Sequence, residues 1–232
     1  MGAGRRAGGA LGAEVRRWTA LINDLGRSHS WQGALGALEE MRASAVHPDI
    51  VTYTAAMSAF GQGQQWAHAL YALFSSGMSM DTIAHNTAIT ACERGRQWRQ
   101  AMGLLTQMRL QRVGLEVTTF NASISACAKG GQWALALHLM SEMREVGHQP
   151  NVITYSALIS ACEKGSHWAL GTLLLVELPR RSLRPGAIAY NAAISACGRG
   201  QQWGRALGLL AAMRRAGLLP DVISHNAAIS AC

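Results

Sequence analysis

The sequence predicts an all-α fold, an α-solenoid built from tandem helix-turn-helix repeats. Two observations carry this prediction. All five cysteines are spaced by 35 residues, at Cys92, Cys127, Cys162, Cys197 and Cys232. A tryptophan follows each of the first four cysteines by six residues, and two earlier tryptophans are also 35 residues apart. Self-similarity at a fixed period of about 20–50 residues is the sequence signature of stacked repeats, which favours a solenoid over a single globular core.

Pro-Asp and Pro-Asn dipeptides mark the ends of several repeats. We therefore divide the chain into a flexible or targeting-like tail at residues 1–14 and a repeat array at residues 15–232. The repeats are residues 15–49, 50–81, 82–116, 117–151, 152–186 and 187–221, followed by a partial repeat at residues 222–232. The second repeat is three residues shorter than the others, which can change the register of its last residue, Asp81. The partial repeat suggests either that the chain is a fragment of a longer protein or that its last repeat is frayed.

Each repeat begins with a segment that has the apolar spacing of an amphipathic helix. In residues 152–186, an apolar stripe recurs at i, i+3, i+4 and i+7, formed by Tyr155, Leu158, Ile159 and Cys162. A glycine follows this stripe, where helices often end on a left-handed residue. The sequence therefore predicts a left-handed C-cap at the equivalent glycines Gly63, Gly95, Gly130, Gly165 and Gly200.

A second helix is predicted to begin near each tryptophan. In residues 117–151 its apolar face contains Trp133, Leu137, Met140 and Met143. Pro150 closes the connection to the next repeat, because proline cannot continue a helix. Pro179 falls within the second helix of residues 152–186, and we expect it to end or kink that helix early.

The periodic cysteines are interpreted as small buried residues rather than disulfides or metal ligands. Packed helices lie about 8–10 Å apart, whereas a disulfide needs about 4.4–6.8 Å between Cα atoms. No CxxC pair, the usual zinc-ligand spacing, is present. We expect reduced thiols and no metal or cofactor. The tryptophans are interpreted as core anchors rather than as platforms on which bases stack.

Charge gives a weak indication of the partner. The formal net charge is +8, from 21 Lys and Arg against 13 Asp and Glu. This excess of positive charge favours a polyanionic partner over a partner that itself binds acidic groups. The apolar runs are short and interrupted, so no membrane partner is expected. We also expect no small-molecule substrate, because no catalytic pair, triad or phosphate loop stands out from the repeats, and the chain is not expected to be an enzyme.

Polar and basic residues recur along one face of the predicted first helices. The fifth residue of every repeat is a small amide or hydroxyl: Thr19, Thr54, Asn86, Asn121, Ser156, Asn191 and Asn226. The ninth is also small and polar, and the thirteenth is basic in five of six repeats. Steps of four place these residues on one helix face. An extended polyanion could lie along it. A solvated helix face with basic residues near its C-terminus has the same pattern without any ligand.

The segments "PNVITYSALISACEKG" and "PDVISHNAAISAC" resemble the pentatricopeptide repeat family, and the resemblance covers nearly the whole chain. It implies binding of single-stranded RNA, one base per repeat. In this family the fifth and last residues of a repeat form the pair that reads a base, here called a reading pair. The implied pairs are Thr19 with Asp49, Thr54 with Asp81, Asn86 with Glu116, Asn121 with Asn151, Ser156 with Gly186, and Asn191 with Asp221, followed by an unpaired Asn226.

The resemblance also implies a target and a set of phosphate contacts. The pairs imply the RNA sequence G-G-x-Y-x-U, in which the Asn86–Glu116 and Ser156–Gly186 pairs read no defined base. The basic thirteenth residues, here called the basic row, would contact the RNA backbone: Arg27, Arg94, Lys129, Lys164 and Arg199.

The resemblance implies a non-catalytic adaptor in organellar RNA processing, stability or translation, located in the chloroplast or mitochondrion. Other RNA-processing proteins would be further partners. The alternative is a helical-repeat scaffold that binds proteins. A strong fall of affinity with salt would favour RNA, whereas tight binding that is indifferent to salt would favour a peptide.

Overall fold

The computed structural model describes the backbone of residues 3–231 and the side-chain surroundings of residues 12–231. These residues contain thirteen α-helices and no strand. The chain divides into two compact blocks, Met1–Leu115 and Glu116–Cys232, here called the N-terminal and C-terminal blocks. The helices of the N-terminal block are α1 (Ala3–Arg27), α2 (Trp31–Ala43), α3 (Ile50–Gln62), α4 (Trp66–Ser75), α5 (Thr82–Arg94) and α6 (Trp98–Leu110).

The C-terminal block repeats the same alternation of a first helix and a second helix. Its helices are α7 (Val117–Lys129), α8 (Trp133–Glu145), α9 (Val152–Lys164), α10 (Trp168–Arg180), α11 (Ala187–Arg199), α12 (Trp203–Arg215) and α13 (Val222–Ile229). Every second helix begins at one of the periodic tryptophans. The predicted all-α solenoid of helix pairs is therefore confirmed.

Within each block the odd-numbered first helices form one layer. Consecutive first helices of a block pack directly on each other, and a second helix packs on the first helix of its own repeat and on the next first helix of the same block. Small residues permit the close approach within the first layer. A Cβ atom added to Gly61 would lie 3.1 Å from the Cβ of Ala91 on the next first helix. The predicted apolar stripe of α9, from Tyr155 to Cys162, is buried.

The residue that closes a repeat also starts the next helix. Asp49, Asp81, Asn151 and Asp221 have extended backbones, and their side chains accept hydrogen bonds from the first backbone N–H groups of α3, α5, α9 and α13. Such N-caps contribute about 1 kcal/mol each to helix stability. The last residue of a repeat therefore has a structural role that does not depend on any ligand.

The glycine after each first helix is needed for a reason that differs from the prediction. The left-handed C-cap was wrong: Gly63, Gly95, Gly165 and Gly200 have negative φ values between −76° and −87°. The positive φ falls one residue later, for example 58° at Gln64. A Cβ on Gly63 would lie only 2.6 Å from Cδ1 of Trp31, the tryptophan of the preceding repeat. The glycine is therefore required by close approach of an indole ring.

The same contact recurs between other consecutive repeats. An added Cβ would meet Cδ1 of Trp66 at Gly95, of Trp133 at Gly165 and of Trp168 at Gly200. Each tryptophan thus lies against the end of the next first helix. This position explains why glycine and tryptophan recur at the same period, and it supports the interpretation of tryptophan as a packing anchor.

The described cysteines are buried, as expected. Cys92, Cys127, Cys162 and Cys197 form no disulfide, and Cys232 lies outside the described residues. Burial raises the pKa of Cys92 to about 12 and the pKa values of Cys127 and Cys162 to about 11. These thiols therefore stay protonated at neutral pH.

Two helices differ from the expectations drawn from sequence. Residues 3–14, expected to be part of a flexible or targeting-like tail, belong to α1, which continues into the first repeat. Pro179 does not shorten α10, which reaches Arg180 and has 13 residues like α8. Pro179 is the penultimate residue of α10, so the prediction that this helix ends early was wrong.

The three residues missing from the second repeat are missing from its second helix. Helix α4 has 10 residues, whereas α2 has 13. Asp81 still caps α5, with its carboxylate accepting from the backbone N–H of Ala84 at 2.8 Å. The change of register considered for Asp81 is therefore not observed.

Candidate nucleic-acid interface

The structure brings together the side chains of two predicted reading pairs. Nδ2 of Asn191 donates to Oδ1 of Asp221 at 3.3 Å. In the same way, Nδ2 of Asn121 donates to Oδ1 of Asn151 at 3.4 Å. The fifth residue of a first helix thus lies beside the N-cap residue of the next first helix, although the two are 30 residues apart in sequence.

A hydroxyl from the next repeat joins the members of each of these pairs. Thr154 Oγ1 donates to Oδ1 of Asn121 at 2.6 Å and lies 3.2 Å from Oδ1 of Asn151. Ser224 Oγ donates to Oδ1 of Asn191 at 2.6 Å and lies 2.8 Å from Oδ1 of Asp221. Both hydroxyls belong to the third residue of their repeat. This bridging residue was not identified from the sequence, although a hydroxyl recurring at the third position was visible there.

The first reading pair is connected in a related way. Thr19 Oγ1 lies 2.7 Å from Thr52 Oγ1, which in turn donates to Oδ1 of Asp49 at 2.7 Å. Thr52 is again the third residue of its repeat. Three of the six predicted pairs are therefore linked through a hydroxyl at this position.

Two other pairs are followed by alanine at the third position, Ala84 and Ala189. Their fifth residues hydrogen-bond to their own helix instead. Thr54 Oγ1 donates to the carbonyl of Ile50, and Ser156 Oγ donates to the carbonyl of Val152, both at 2.7 Å. Gly186 has no side chain, and a Cβ atom added to it would have no neighbour within 4 Å. The Ser156–Gly186 pair therefore offers little with which to recognise a base.

Asn86, Glu116 and Asn226 complete the set of predicted base-reading residues. Asn86 lies on α5 of the N-terminal block with a partly exposed side chain. Glu116 precedes α7 of the C-terminal block, where its side chain and that of Thr119 form a capping box. Asn226 lies exposed on α13.

The basic row lies near the C-terminal ends of the first helices. Lys164 Nζ donates to the carbonyl of Lys129 at 3.3 Å, so these two members are neighbours. Arg199 is 3.5 Å from Oε1 of Glu163, and Arg27 is 3.6 Å from Oδ1 of Asp24. Arg94 is exposed on α5. The acidic partners of Arg199 and Arg27 were not anticipated, but exposed ion pairs of this kind contribute only about 0–1 kcal/mol.

A groove of about 780 Å³ crosses the first helices of the C-terminal block. It is bounded by residues of α7, α9 and α11. Lys129 and Lys164 of the basic row lie along it, together with Ser156 and the small hydroxyls Ser125 and Ser160. The fifth, ninth and thirteenth positions therefore share a continuous surface, as the steps of four predicted.

Exposed aliphatic residues form a further row that the sequence analysis did not identify. They occupy the second position of the first helices and are between 63% and 71% exposed: Val51, Ile83, Ile153, Ile188 and Ile223. Ile153 and Ile188 border the groove. The signal in the sequence was an apolar residue that recurs outside the buried stripe of each first helix.

Hydrogen bonds keep the Asp221 carboxyl ionised. The backbone N–H of Ser224, and after it the Ser224 hydroxyl, hold the pKa of Asp221 below its ordinary value, with Asn191 adding to the effect. The Asn191–Asp221 pair therefore combines an amide with a carboxylate that only accepts hydrogen bonds at neutral pH.

Two other kinds of site were searched for in the part of the chain that the structure describes. No group of three or more His, Cys, Asp or Glu side chains is arranged to hold a metal ion. None of the described helices combines the length and apolar character that a bilayer crossing requires.

Comparison with protein-family models identifies one repeat family along the chain. The model described as "PPR repeat" matches residues 18–46, the "PPR repeat family" model matches residues 115–164, and the "Pentatricopeptide repeat domain" model matches residues 173–232. A comparison with curated protein sequences gives no match.

Solved structures share the fold. The chain is similar to the pentatricopeptide repeat protein PPR10 in complex with an 18-nt psaJ RNA element, with 24% identity and a TM-score of 0.77. The match covers 98% of this chain and 33% of PPR10, so the chain spans about a third of that protein's length. PPR10 from maize, in a second structure, gives 22% identity and a TM-score of 0.60, with 92% and 36% covered.

The PPR domain of Arabidopsis thaliana protein-only RNase P 1, in complex with tRNA, gives 11% identity and a TM-score of 0.62, covering 73% of this chain and 91% of that one. These likenesses concern the fold. The three models of one repeat family, which together match more than half of the chain, show that the chain belongs to the pentatricopeptide repeat family.

Proposed function

We propose that the chain binds single-stranded RNA along the face formed by its first helices and selects bases through its reading pairs. The observation that carries this proposal is the repeated arrangement at Asn121–Asn151 and Asn191–Asp221. In both, side chains 30 residues apart in sequence form a hydrogen-bonded pair at the same place on consecutive first helices. A merely solvated helix face has no need of such a repeated arrangement.

The two pairs offer different hydrogen-bonding groups. The ionised Asp221 can only accept, so with the Asn191 amide it suits uracil, whose Watson–Crick edge has an N–H donor beside a carbonyl acceptor. Asn151 already uses its Oδ1 to accept from the backbone N–H groups of Ile153 and Thr154. Its Nδ2 group remains as a donor, which suits the acceptor nitrogen of cytosine. The assignment of a pyrimidine to both pairs follows from the resemblance to the family, with which these groups are compatible.

The rest of the face supplies contacts that do not depend on sequence. Phosphates would lie along the basic row, with Lys129 and Lys164 at the groove. Exposed aliphatic side chains such as Ile153 and Ile188 would contact the faces of the bases. Positive charge provides affinity, whereas the reading pairs provide selectivity.

Similar proteins support an RNA ligand. PPR10 and the PPR domain of protein-only RNase P 1 were crystallised in complex with RNA. The chain spans about a third of PPR10. We therefore propose only the short target element that its own six reading pairs imply, G-G-x-Y-x-U. Family membership supports a non-catalytic adaptor in organellar RNA processing, stability or translation, with other RNA-processing proteins as partners. A chloroplast or mitochondrial location can be tested with a fluorescent fusion of the full-length protein.

The deciding experiment is selection from a random single-stranded RNA pool with the purified chain. We expect enrichment of a short element with G at its first two positions and pyrimidines at the positions of Asn121 and Asn191. Retention of RNA without an enriched element would contradict base reading. If no RNA is retained at moderate salt, the protein-scaffold function becomes the better account.

A further inference from the structure

We infer that the hydroxyl at the third position of the following repeat, on Thr154 and Ser224, is a specificity-determining positioning residue. It acts through the asparagine of the reading pair, by fixing which end of that amide faces the base. The inference rests on the proposed function, because it concerns how the same pairs discriminate between bases.

The hydrogen bonds of Thr154 leave its hydroxyl one direction in which to donate. The backbone N–H of Asn151 donates to Thr154 Oγ1 at 3.1 Å, so the oxygen acts as an acceptor there. Its single hydrogen is directed to the nearer of two acceptors, Oδ1 of Asn121 at 2.6 Å rather than Oδ1 of Asn151 at 3.2 Å. Thr154 and Asn121 are both buried, which strengthens the bond and excludes competing water.

This bond determines the orientation of the Asn121 amide. With its oxygen held by Thr154, the Nδ2 group is turned to Oδ1 of Asn151. One Nδ2 hydrogen is used there, which leaves the second hydrogen for a ligand. Without the hydroxyl, rotation of the amide by about 180° would exchange donor and acceptor at the position of the base. The Asn121–Asn151 pair would then accept two patterns of base edge instead of one.

Ser224 repeats this arrangement with a different side chain. The backbone N–H of Asp221 donates to Ser224 Oγ at 3.2 Å, and the single hydroxyl hydrogen is shared between Oδ1 of Asn191 at 2.6 Å and Oδ1 of Asp221 at 2.8 Å. Serine lacks the methyl group of threonine, so what the two positions share is the hydroxyl. In contrast, the pairs followed by Ala84 and Ala189 have Thr54 and Ser156 as their fifth residues, and these have no amide to orient.

Thr154 and Ser224 also complete capping boxes at the starts of α9 and α13. A purely structural role would therefore lower stability when the hydroxyl is removed. It would not change which base is preferred at one nucleotide and leave the other nucleotides unaffected. Base preference, measured position by position, separates the two roles.

The test compares wild-type protein with Thr154→Val, Thr154→Ser and Ser224→Ala in selections from the same random single-stranded RNA pool. Loss of one hydrogen bond predicts a fall of about five- to tenfold in the base preference at the variant's own nucleotide. Thr154→Ser keeps the hydroxyl and should keep the preference. Each variant serves as the control for the other's nucleotide, and Ser224→Ala decides the question if Thr154→Val does not fold.

Three outcomes would overturn the inference. Thr154→Val and Ser224→Ala could retain wild-type preferences, or Thr154→Ser could lose the preference as fully as Thr154→Val, which would indicate packing instead of the hydroxyl. If wild-type protein itself shows no base preference, the proposed function fails and the inference fails with it. Retained preference in the variants, by comparison, would leave the proposed function intact.

Discussion

Two neighbouring junctions of the C-terminal block share one backbone and differ in the side chains that face a ligand. The α7–α9 junction contains Asn121, Asn151 and Thr154, which hydrogen-bond to one another. The α9–α11 junction has Ser156, Gly186 and Ala189 at the same positions, and Ser156 bonds to its own helix instead. One junction holds two amides and a hydroxyl that hydrogen-bond to one another, whereas the other leaves an open groove.

The scaffold of the two junctions is the same. Asn151 and Gly186 both precede their helices with extended backbones, at φ −111°, ψ −176° and φ −91°, ψ 173°. Trp133 lies against Gly165 at the first junction, and Trp168 lies against Gly200 at the second. The proposed selectivity rests on three side chains per junction, carried on a backbone that the two junctions share, although Asn151 and Thr154 also cap α9. The following predictions test that separation.

The largest effect is expected from the basic row, which passes both junctions. Replacing Lys129 and Lys164 together by alanine should weaken binding of all RNA sequences alike, by roughly tenfold per lysine at about 0.1 M salt. The slope of log affinity against log salt should fall by about two. Titration of a labelled RNA at several salt concentrations measures both. A loss confined to one RNA sequence would show that these lysines read bases.

The shared scaffold predicts equal damage when either indole contact is blocked. Gly165→Ala and Gly200→Ala should each destabilise the protein by about 1–3 kcal/mol, because the new Cβ atom meets a tryptophan ring. Thermal unfolding followed by circular dichroism should show a Tm lower by several degrees in both.

Gly208→Ala on α12 is the matched control for those variants. Open space surrounds the Cβ that it adds, and alanine favours a helix interior by up to about 1 kcal/mol. Its Tm should equal or exceed that of the wild type. If Gly165→Ala or Gly200→Ala behaves like this control, the indole contact does not explain the glycines.

A smaller but more specific effect is expected from rebuilding the α9–α11 junction. The triple variant Ser156→Asn, Gly186→Asn, Ala189→Thr installs the side chains of the α7–α9 junction. Open space surrounds Gly186, so the new amide should fit. We expect a pyrimidine preference of about fivefold to appear at the nucleotide that this junction leaves unread.

The double variant without Ala189→Thr is the control for the rebuilt junction. It should show a weaker preference, because nothing orients the new asparagine. Selections with the two variants in parallel measure the difference. Absence of any new preference in the triple variant would mean that the reading pair needs more than these three side chains.

The smallest effect concerns the acid within the groove. Glu163 holds Arg199 at 3.5 Å and accepts a hydrogen bond from Ser195 at 2.8 Å. Glu163→Gln removes a negative charge from the path of the phosphates, and affinity for RNA should rise about twofold at low salt. The gain should vanish at high salt. An unchanged affinity at all salt concentrations would place the RNA backbone away from Arg199.

The sequence predicted the repeating helices well because their signals are local and repeated. The spacing of Tyr155, Leu158, Ile159 and Cys162 identified a helix, and the structure buries all four. One expectation concerned a pair of residues 30 positions apart, Asn121 and Asn151, which the structure brings together. That expectation came from resemblance to a family, because no local rule connects residues so far apart.

The errors at Gly165 and Thr154 have a common physical origin in contacts between repeats. Gly165 was interpreted from its own helix end as a left-handed residue, but the ring of Trp133 on the preceding helix decides why glycine is there. The bridging role of Thr154 was missed because its partner lies 33 residues earlier. Ile153 was overlooked because helical periodicity identifies buried apolar residues and gives no reason for an exposed one.

The short helix α4 shows how the repeats tolerate changes in length. Three residues fewer shorten a helix by about 4.5 Å, somewhat less than one turn, yet Asp81 still begins the next first helix as Asp49 does. The distance between successive nucleotides would be set by the packing of first helices alone. Insertions and deletions in second helices would then leave each repeat aligned with its own nucleotide. The length of a repeat and the register of the bases could therefore change independently in evolution.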